Sequence, residues 1–302
     1  MSFRTASTTQ QRQSLMDLQR TQERLAKNQT RITTGSRITG PSDDPTASAS
    51  ILDFNNSIQV NTQFIRQADA ALSYLAPAEN NVASAIEATL RLQELAVGGS
   101  TASISELDAI RSNLLSMANA QSQGKYLFAG TATDSKPFVL ANPADPTSQI
   151  NYQGNAGQIR VNLDGNATNP NQVTTNLPGD TVFFGAGGLG SNTDIFKAIT
   201  DLKAAFNAND ATAVQTVRDH LDLIFANLNK AQADLGGRQA GLLDLKDTYA
   251  NFNATLESLQ SAQEATDYPK VMTDVTADET LQSVTLSTMA KTNKVNLFDY
   301  LT

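Results

Sequence analysis

The chain of 302 residues has a formal net charge of −8, from 22 Lys and Arg against 30 Asp and Glu, which argues against nucleic-acid binding because that depends on Lys and Arg neutralising phosphates. It has no cysteine and only one histidine, His220. Disulfides, thiolate metal sites and multi-histidine metal sites are therefore excluded, and we predict no cofactor.

The first predicted element is a helix over 8–34. Its apolar residues recur three or seven positions apart: Leu15, Leu18, Leu25 and Ile32. We expect the alternate positions of this coiled-coil-like seam to be Gln22 and Gln29. A helix whose seam is half polar is weak alone and needs a partner.

The next segment, TTGSRITGPSDDPTAS over 33–48, interrupts the helical pattern. Gly35 and Gly40 have the spacing of a phosphate-binding loop, but Pro41 stands where that loop needs a lysine. A predicted helix, rather than a strand, precedes the loop. We therefore interpret it as a hinge.

The twin carboxylates Asp43 and Asp44 allow a second interpretation, as calcium ligands or an acid/base pair. No EF-hand spacing and no third nearby carboxylate support it. Asp44 followed by Pro45 is instead typical of a helix start, with Asp44 as N-cap and proline at the first helical position. We predict a helix cap.

Two further helices are predicted after this cap. Apolar residues of 44–97 keep one heptad register: Ile51, Phe54, Ile58, Ile65, Ala68, Leu72, Leu75, Val82 and Ile86. Gly98-Gly99 end this predicted helix, and Pro77 inside the pattern predicts a kink. Ser103 and Glu106 have the spacing of a capping box, which would begin a third helix that runs to about Ser122.

The middle of the chain, 132–192, is rich in proline and glycine and has lost the helical period. Alternation over 159–163 predicts a strand, and Ile150–Tyr152 and Val182–Phe184 are further strand candidates. We predict a small β-rich insert.

Helix returns after the insert. One heptad row, Val214, Val217, Leu221, Ile224, Leu228, Ala231 and Leu235, continues in phase beyond Gly236-Gly237. We predict one long helix over 210–266, weakened at those glycines and ended by Pro269. A last, loosely amphipathic segment follows over 271–298. The predicted fold is mainly α with a small β-rich insert, an elongated helical rod and terminal coiled-coil helices.

Four stretches resemble the bacterial flagellin family, and within it the hook-associated subunits of the hook–filament junction. They are RITTGSRITGPSDDPTASA (31–49), GKYLFAGT (124–131), DLGGRQAGLLDL (234–245) and KVNLFDYL (294–301). Pro269 departs from the family pattern, in which a residue compatible with a helix is more usual.

The resemblance implies three domains. Residues 1–34 with 271–302 would form a terminal coiled-coil assembly domain that is disordered in the monomer. Residues 43–131 with 193–268 would form the helical rod, and 132–192 an outer β-rich domain. Assembly contacts are predicted at Leu15, Leu18, Leu25, Ile32, Leu281, Val284, Leu286, Met289, Leu297, Phe298, Tyr300 and Leu301, and the hinge and caps at Gly35, Gly40, Pro41, Asp43, Asp44, Pro45 and Pro269.

The resemblance also implies a structural, non-enzymatic role. A homo-oligomeric ring would contact a neighbouring hook-associated protein on one side and flagellin on the other, outside the cell. Subunits would be exported unfolded, without a cleaved signal peptide and with an export chaperone on the C-terminal segment. No apolar run approaches the roughly 20 residues of a membrane helix. The alternatives are a bulk flagellin subunit, an acidic enzyme that uses Asp43 and Asp44, and a coiled-coil secretion effector.

Overall fold

The computed structural model describes residues 2–162 and 172–298, and this part is mainly helical, as predicted. Its helices are α1 (Ser2–Thr34), α2 (Pro45–Gly98), α3 (Ile104–Ala118), α4 (Ile195–Ala208), α5 (Ala211–Glu264) and α6 (Tyr268–Phe298). Its strands form antiparallel pairs: β1 (Gln121–Ser122) with β2 (Lys125–Tyr126), β3 (Phe138–Leu140) with β4 (Ile150–Tyr152), and β5 (Arg160–Asn162) with β6 (Gln172–Thr174). The chain divides into two compact units, 60–251 and 1–59 with 252–302. These boundaries fall within α2 and α5, and the three-domain division stays a prediction.

Within the unit 60–251, α2 and α5 pair in antiparallel fashion. Gln93 Nε2 donates to Asp222 Oδ1 at 2.7 Å, and Lys246 Nζ lies 2.7 Å from Asp69 Oδ1. Higher residue numbers on α2 thus face lower numbers on α5. The core between them is a heptad stripe on each helix, as expected for helices packed along their length.

The stripe on α5 follows the predicted row, and its members from Val217 to Leu235 are buried. On α2 the fully buried positions are partly one residue away from the predicted row, and many are small: Ala68, Ala71, Leu75, Ala78, Val82, Ala85 and Leu92. Large residues such as Ile65, Leu72 and Ile86 lie at the edge of the interface, partly buried. The heptad pattern therefore identifies the correct face of α2 but not all of its central positions. Several of those positions are alanines, which are only weakly apolar and do not stand out in a hydrophobic pattern.

Helix α2 continues through Pro77. Proline cannot donate the backbone bond that would reach the carbonyl oxygen of Ser73, one turn earlier. The hydroxyl of Ser122, in β1, donates to that oxygen at 3.0 Å instead. A side chain from the following hairpin therefore supplies the missing partner, which explains why the proline does not end the helix.

The insert is anchored by a cluster of buried phenylalanines. Phe138 of β3 makes edge-to-face contacts with Phe183 and Phe184, with ring centroids 5.4 and 5.5 Å apart. Phe196 of α4 completes the cluster, 6.1 Å from Phe138. All of these rings belong to the same core as α2 and α5. The insert is therefore packed against this helical unit through aromatic side chains.

Three local predictions for this unit are wrong. Val182–Phe184 is part of a π-helical turn over Asp180–Phe184, not a strand, because a short buried apolar run looks the same in either conformation. The capping box lies at Ser100 and Ser103, at the start of a 3-10 turn, and not at Ser103 and Glu106. Helix α3 also ends at Ala118, before the predicted end.

Candidate assembly surface

The unit that contains both ends of the chain is built on the pairing of α1 with α6. One face of α1 is sheltered at positions four and three apart: Leu18, Thr21, Leu25, Asn28 and Ile32. The matching face of α6 has the same spacing: Val271, Val275, Asp278, Gln282, Thr285 and Met289. Alternating spacings of four and three are the signature of a coiled-coil seam.

Helices α1 and α6 run antiparallel, and one hydrogen bond between them defines their register. Asn28 Nδ2 donates to Asp278 Oδ2 at 3.4 Å. Counting outward from this layer along the successive seam positions of both helices places Leu18 opposite Met289 and Ile32 opposite Val275. Apolar layers therefore flank a polar middle of the seam.

The polar positions of the α1 seam differ from the prediction. Gln22 and Gln29 are exposed, whereas Thr21 and Asn28, one residue earlier, are buried with 3 and 7% of their surface accessible. Between two seam leucines seven residues apart, the intermediate seam residue can lie three or four residues after the first leucine. The two candidates are polar in each case, Thr21 or Gln22 and Asn28 or Gln29, so hydrophobicity alone could not identify the buried residue.

The predicted assembly residues fall into three groups. Leu18, Leu25, Ile32 and Met289 line the seam. Four others are about half exposed and do not lie in the seam rows: Leu15, Leu281, Val284 and Leu286. Of the remainder, Leu297 and Phe298 belong to α6, whose side chains are not described there, and Tyr300 and Leu301 lie outside the described residues. Their role in assembly stays a prediction.

Asp278 is the centre of a buried polar cluster. Only 6% of its surface is accessible, and its Oδ1 accepts a bond from Arg24 Nη2 at 2.6 Å. The side chain of Arg24 remains largely exposed, so the guanidinium reaches the carboxylate from the solvent side. The two acceptor oxygens of a buried charge thus have separate donors, Arg24 and Asn28, as burial of a carboxylate requires.

The loop between α1 and α2 lies against the connection between α5 and α6. Ser36 and Ala265 form an antiparallel bridge, and Arg37 N donates to the carbonyl oxygen of Glu264 at 2.7 Å. Gly35 has a φ of 71°, and a Cβ there would lie 2.9 Å from the hydroxyl oxygen of Tyr268. Glycine is therefore favoured at this position by its positive φ, and a larger residue would also displace the Tyr268 hydroxyl. The two breaks in the helical pattern form one joint.

The carboxylates of the joint serve its structure. Asp43 accepts bonds from the side chain of Lys27 and from the backbone N–H and hydroxyl of Thr39, at 3.0 and 2.8 Å. These bonds, chiefly that of Lys27, hold the pKa of Asp43 well below its ordinary value. Asp43 N also donates to the carbonyl oxygen of Gly40 at 3.0 Å, which closes a turn with Pro41 at its second position.

Asp44 caps the N-terminus of α2. Its Oδ1 accepts the N–H of Ala47 at 3.0 Å, and Arg37 Nη1 lies 3.2 Å from its Oδ2. The bond from Ala47, followed by that from Arg37, lowers the pKa of Asp44. Pro45 is the first residue of the helix. Both carboxylates of the pair therefore have structural partners in the joint.

Pro269 lies in the first turn of α6. The break precedes it, at 265–267, and Asp267 accepts the N–H of Lys270 at 3.1 Å. Helix α6 thus begins as α2 does, with aspartate at the cap and proline in the first turn, where a missing N–H costs nothing. The aspartate–proline pattern that predicted the start of α2 at Asp44-Pro45 recurs here as Asp267-Tyr268-Pro269, with one residue between the aspartate and the proline.

No group of three or more His, Asp or Glu side chains that could hold a metal ion occurs within 2–162 and 172–298. The single histidine, His220, is partly buried on α5. Across the same residues no helix is both long and apolar enough to cross a membrane.

Comparison with known proteins connects this geometry to a family. The family described as the bacterial flagellin N-terminal helical region matches residues 6–133. Residues 6–133 are therefore similar to the N-terminal helical region of bacterial flagellins. The resemblance found in the sequence is thereby confirmed. The matched residues span most of α1, the loop 35–44, α2, α3 and the first hairpin.

Two curated relatives have the same name. Flagellar hook-associated protein 3 of Escherichia coli K12 is 23% identical over 267 residues, which cover 82% of this chain and 80% of that protein. Flagellar hook-associated protein 3 of Salmonella typhimurium is 27% identical over 139 residues, 43% of this chain and 44% of that protein. The first alignment includes sequence well beyond the flagellin N-terminal region.

Solved structures share the fold. Bacillus cereus FlgL is similar with a TM-score of 0.58 at 17% identity, covering 69% of this chain and 99% of that one. The flagellar junction protein FlgL from Legionella pneumophila gives a TM-score of 0.55 at 17% identity, covering 73% of this chain and all (100%) of that one. The chain therefore has a FlgL-like fold, which confirms the predicted helical architecture.

Proposed function

We propose that this chain is a structural subunit of the bacterial flagellum that joins hook to filament. The observation that carries the proposal is the alignment with flagellar hook-associated protein 3 over 82% of the chain, together with the FlgL-like fold. The same relatives favour a junction subunit over the bulk filament subunit. Copy number separates the two, because a filament contains thousands of its subunit and a junction only a ring.

The geometry of the terminal unit supports a role in assembly. Besides the residues in the seam, α1 and α6 present half-exposed apolar side chains such as Leu15, Leu281, Val284 and Leu286. Of these, Leu281 and Val284 are three residues apart and lie on one face of α6, and apolar side chains grouped on a surface indicate an interaction site. In this proposal neighbouring subunits cover them, and a homo-oligomeric ring forms, with a second hook-associated protein on one side and flagellin on the other.

The location and export route belong to the same proposal. The subunit works outside the cell at the hook–filament junction, after export without a cleaved signal peptide. An export chaperone holds the amphipathic segment that becomes α6 until then. The terminal helices gain their order only on assembly, which circular dichroism of the isolated chain and of a chain lacking 1–34 and 271–302 can measure.

The role is structural and not catalytic. Asp43 and Asp44, the strongest candidates for acid/base chemistry, are engaged in the turn and the helix cap. Replacing both with asparagine keeps acceptors at these positions. We expect this variant to loosen the joint and to change no chemical reaction.

A deletion strain tests the proposal. Cells without this protein keep their hooks and release flagellin monomers into the medium, while electron microscopy shows no filaments. Expression of the full chain restores the filaments. A deletion strain that still grows filaments on its hooks would refute the junction role, and loss of the hooks themselves would place the protein earlier in the structure.

A further inference from the structure

The polar cluster in the α1–α6 seam has a property that an apolar seam lacks. Thr21, Asn28 and Asp278 are each more than nine-tenths buried, although they occupy the layers where coiled coils place apolar side chains. A buried carboxylate is unfavourable unless donors meet both its oxygens. Only alignments that bring such donors to Asp278 are therefore stable.

We propose that Arg24, Asn28 and Asp278 form the pairing determinant of the terminal helices. They admit α1 against α6 in a single register and exclude the pairing of α6 with a second α6. The inference concerns recognition between two helices of this chain and does not depend on where in the flagellum the subunit works.

Register selection follows from the residues one heptad away. If α6 moves by seven residues toward the N-terminus of α1, Asp17 takes the place of Arg24 and Thr21 takes that of Asn28. A carboxylate would then lie beside the buried Asp278, which raises the energy of this register. A shift the other way brings Asp278 opposite Gly35, beyond the last residue of α1.

Exclusion of α6 pairs follows from the same carboxylate. A parallel, in-register pair of α6 helices would bury two copies of Asp278 against each other, without Arg24 or Asn28 to donate to them. Two like charges in a desolvated site repel strongly. In α1 the corresponding layer holds Asn28, which is neutral and can both donate and accept.

Cross-linking can test this directly because the chain has no cysteine. The reference pair is Leu25→Cys with Gln282→Cys, which the seam places in one layer. The slipped pair is Leu25→Cys with Val275→Cys, which meets only after a shift of one heptad. Gln282→Cys alone reports α6–α6 pairing as a dimer. Each is treated with a short thiol cross-linker, both in the purified full chain and in flagella isolated from cells that make it.

Each cysteine set is placed in three backgrounds: the unaltered chain, N28L/D278L and Q29L/D274L. The last is a matched control, because it adds the same two leucines at exposed positions of the same helices. Replacing a buried polar pair by apolar residues is often neutral or stabilising. We therefore expect N28L/D278L to keep the helices paired while losing selectivity.

The expected result is that the reference pair links in all three backgrounds in the isolated flagella, where the terminal helices are assembled. The slipped pair and the Gln282→Cys dimer increase by about tenfold or more in N28L/D278L only, since leaving a buried charge unpaired costs far more than one decade in an equilibrium. If N28L/D278L fails to fold, Asp278→Asn keeps the shape and removes the charge, and the α6–α6 dimer alone should increase.

Three results would overturn the proposal. N28L/D278L could link only the reference pair, as the control does. The slipped pair could link already in the unaltered chain. The reference pair could fail to link in both preparations. The cross-links report which helices pair, whereas the deletion experiment scores filaments, so a failure of one is distinct from a failure of the other.

Discussion

Replacing Gly236 and Gly237 with alanine should stabilise the unit 60–251. Both glycines lie inside α5, and neither has a positive φ. A Cβ at either position would meet no atom within 4 Å. Glycine in a helix interior costs about 0.8–1.0 kcal/mol relative to alanine, so the double variant gains about 2 kcal/mol. Each kcal/mol shifts the melting temperature of a unit this size by about 2–4 °C.

Differential scanning calorimetry of the purified chain measures the effect, with an expected rise of about 4–8 °C in the transition of this unit. The matched control is Gly130→Ala. Gly130 has a φ of 68°, and a Cβ there would lie 1.9 Å from the carbonyl oxygen of Asn155, so this variant should melt lower. A double variant of Gly236 and Gly237 that melts at or below the unaltered chain would show that the glycines have a role in the folded unit that their surroundings do not reveal.

Two more predictions concern side-chain hydrogen bonds to the backbone, beside Pro77 and in the joint. Ser122→Ala leaves the carbonyl oxygen of Ser73 without its donor and should lower the free energy of unfolding by about 1–3 kcal/mol, measured by urea titration. The loss should be smaller in a Pro77→Ala background, because the backbone N–H of residue 77 is then present. An equal loss in both backgrounds would refute this account of the helix. The pKa values of Asp43 and Asp44 are lowered in the folded chain. The ionised carboxylates therefore stabilise the joint above about pH 4, the ordinary pKa of aspartate, and this stabilisation is lost as the pH falls through the lower pKa values of the folded state. The protection factors of amides in the joint, which correct for the intrinsic pH dependence of exchange, should therefore fall on acidification. An equal fall in the variant with asparagine at both positions would contradict this assignment.

Much of the fold could be predicted because its helices are long and strongly periodic. The heptad row of α5 indicated the buried face, and Asp44-Pro45 indicated the start of α2. Signals of this kind depend only on neighbouring residues, so one sequence is enough to find them. The same reasoning failed at Val182–Phe184, where a run of three apolar residues has no period to measure.

The candidate site was harder to predict than the helices. The leucines of α1 identified its inner face, but the choice of Thr21 and Asn28 over Gln22 and Gln29 depended on which residues of α6 lie opposite. A polar residue in a seam is stable only if its partner can satisfy it. That partner, Asp278, is about 250 residues away along the chain, so no local pattern could identify it.

What the sequence determined by itself was therefore the helical class, the paired terminal segments, the interrupted joint and the likeness to the flagellin family, because each depends on periodicity or on a short motif. Only the tertiary structure decided which polar side chains are buried, how the carbonyl oxygen of Ser73 is satisfied beside Pro77, and how Ser36 meets Ala265 at the joint. Each of these is a contact between residues far apart along the chain, whose energy depends on both partners at once.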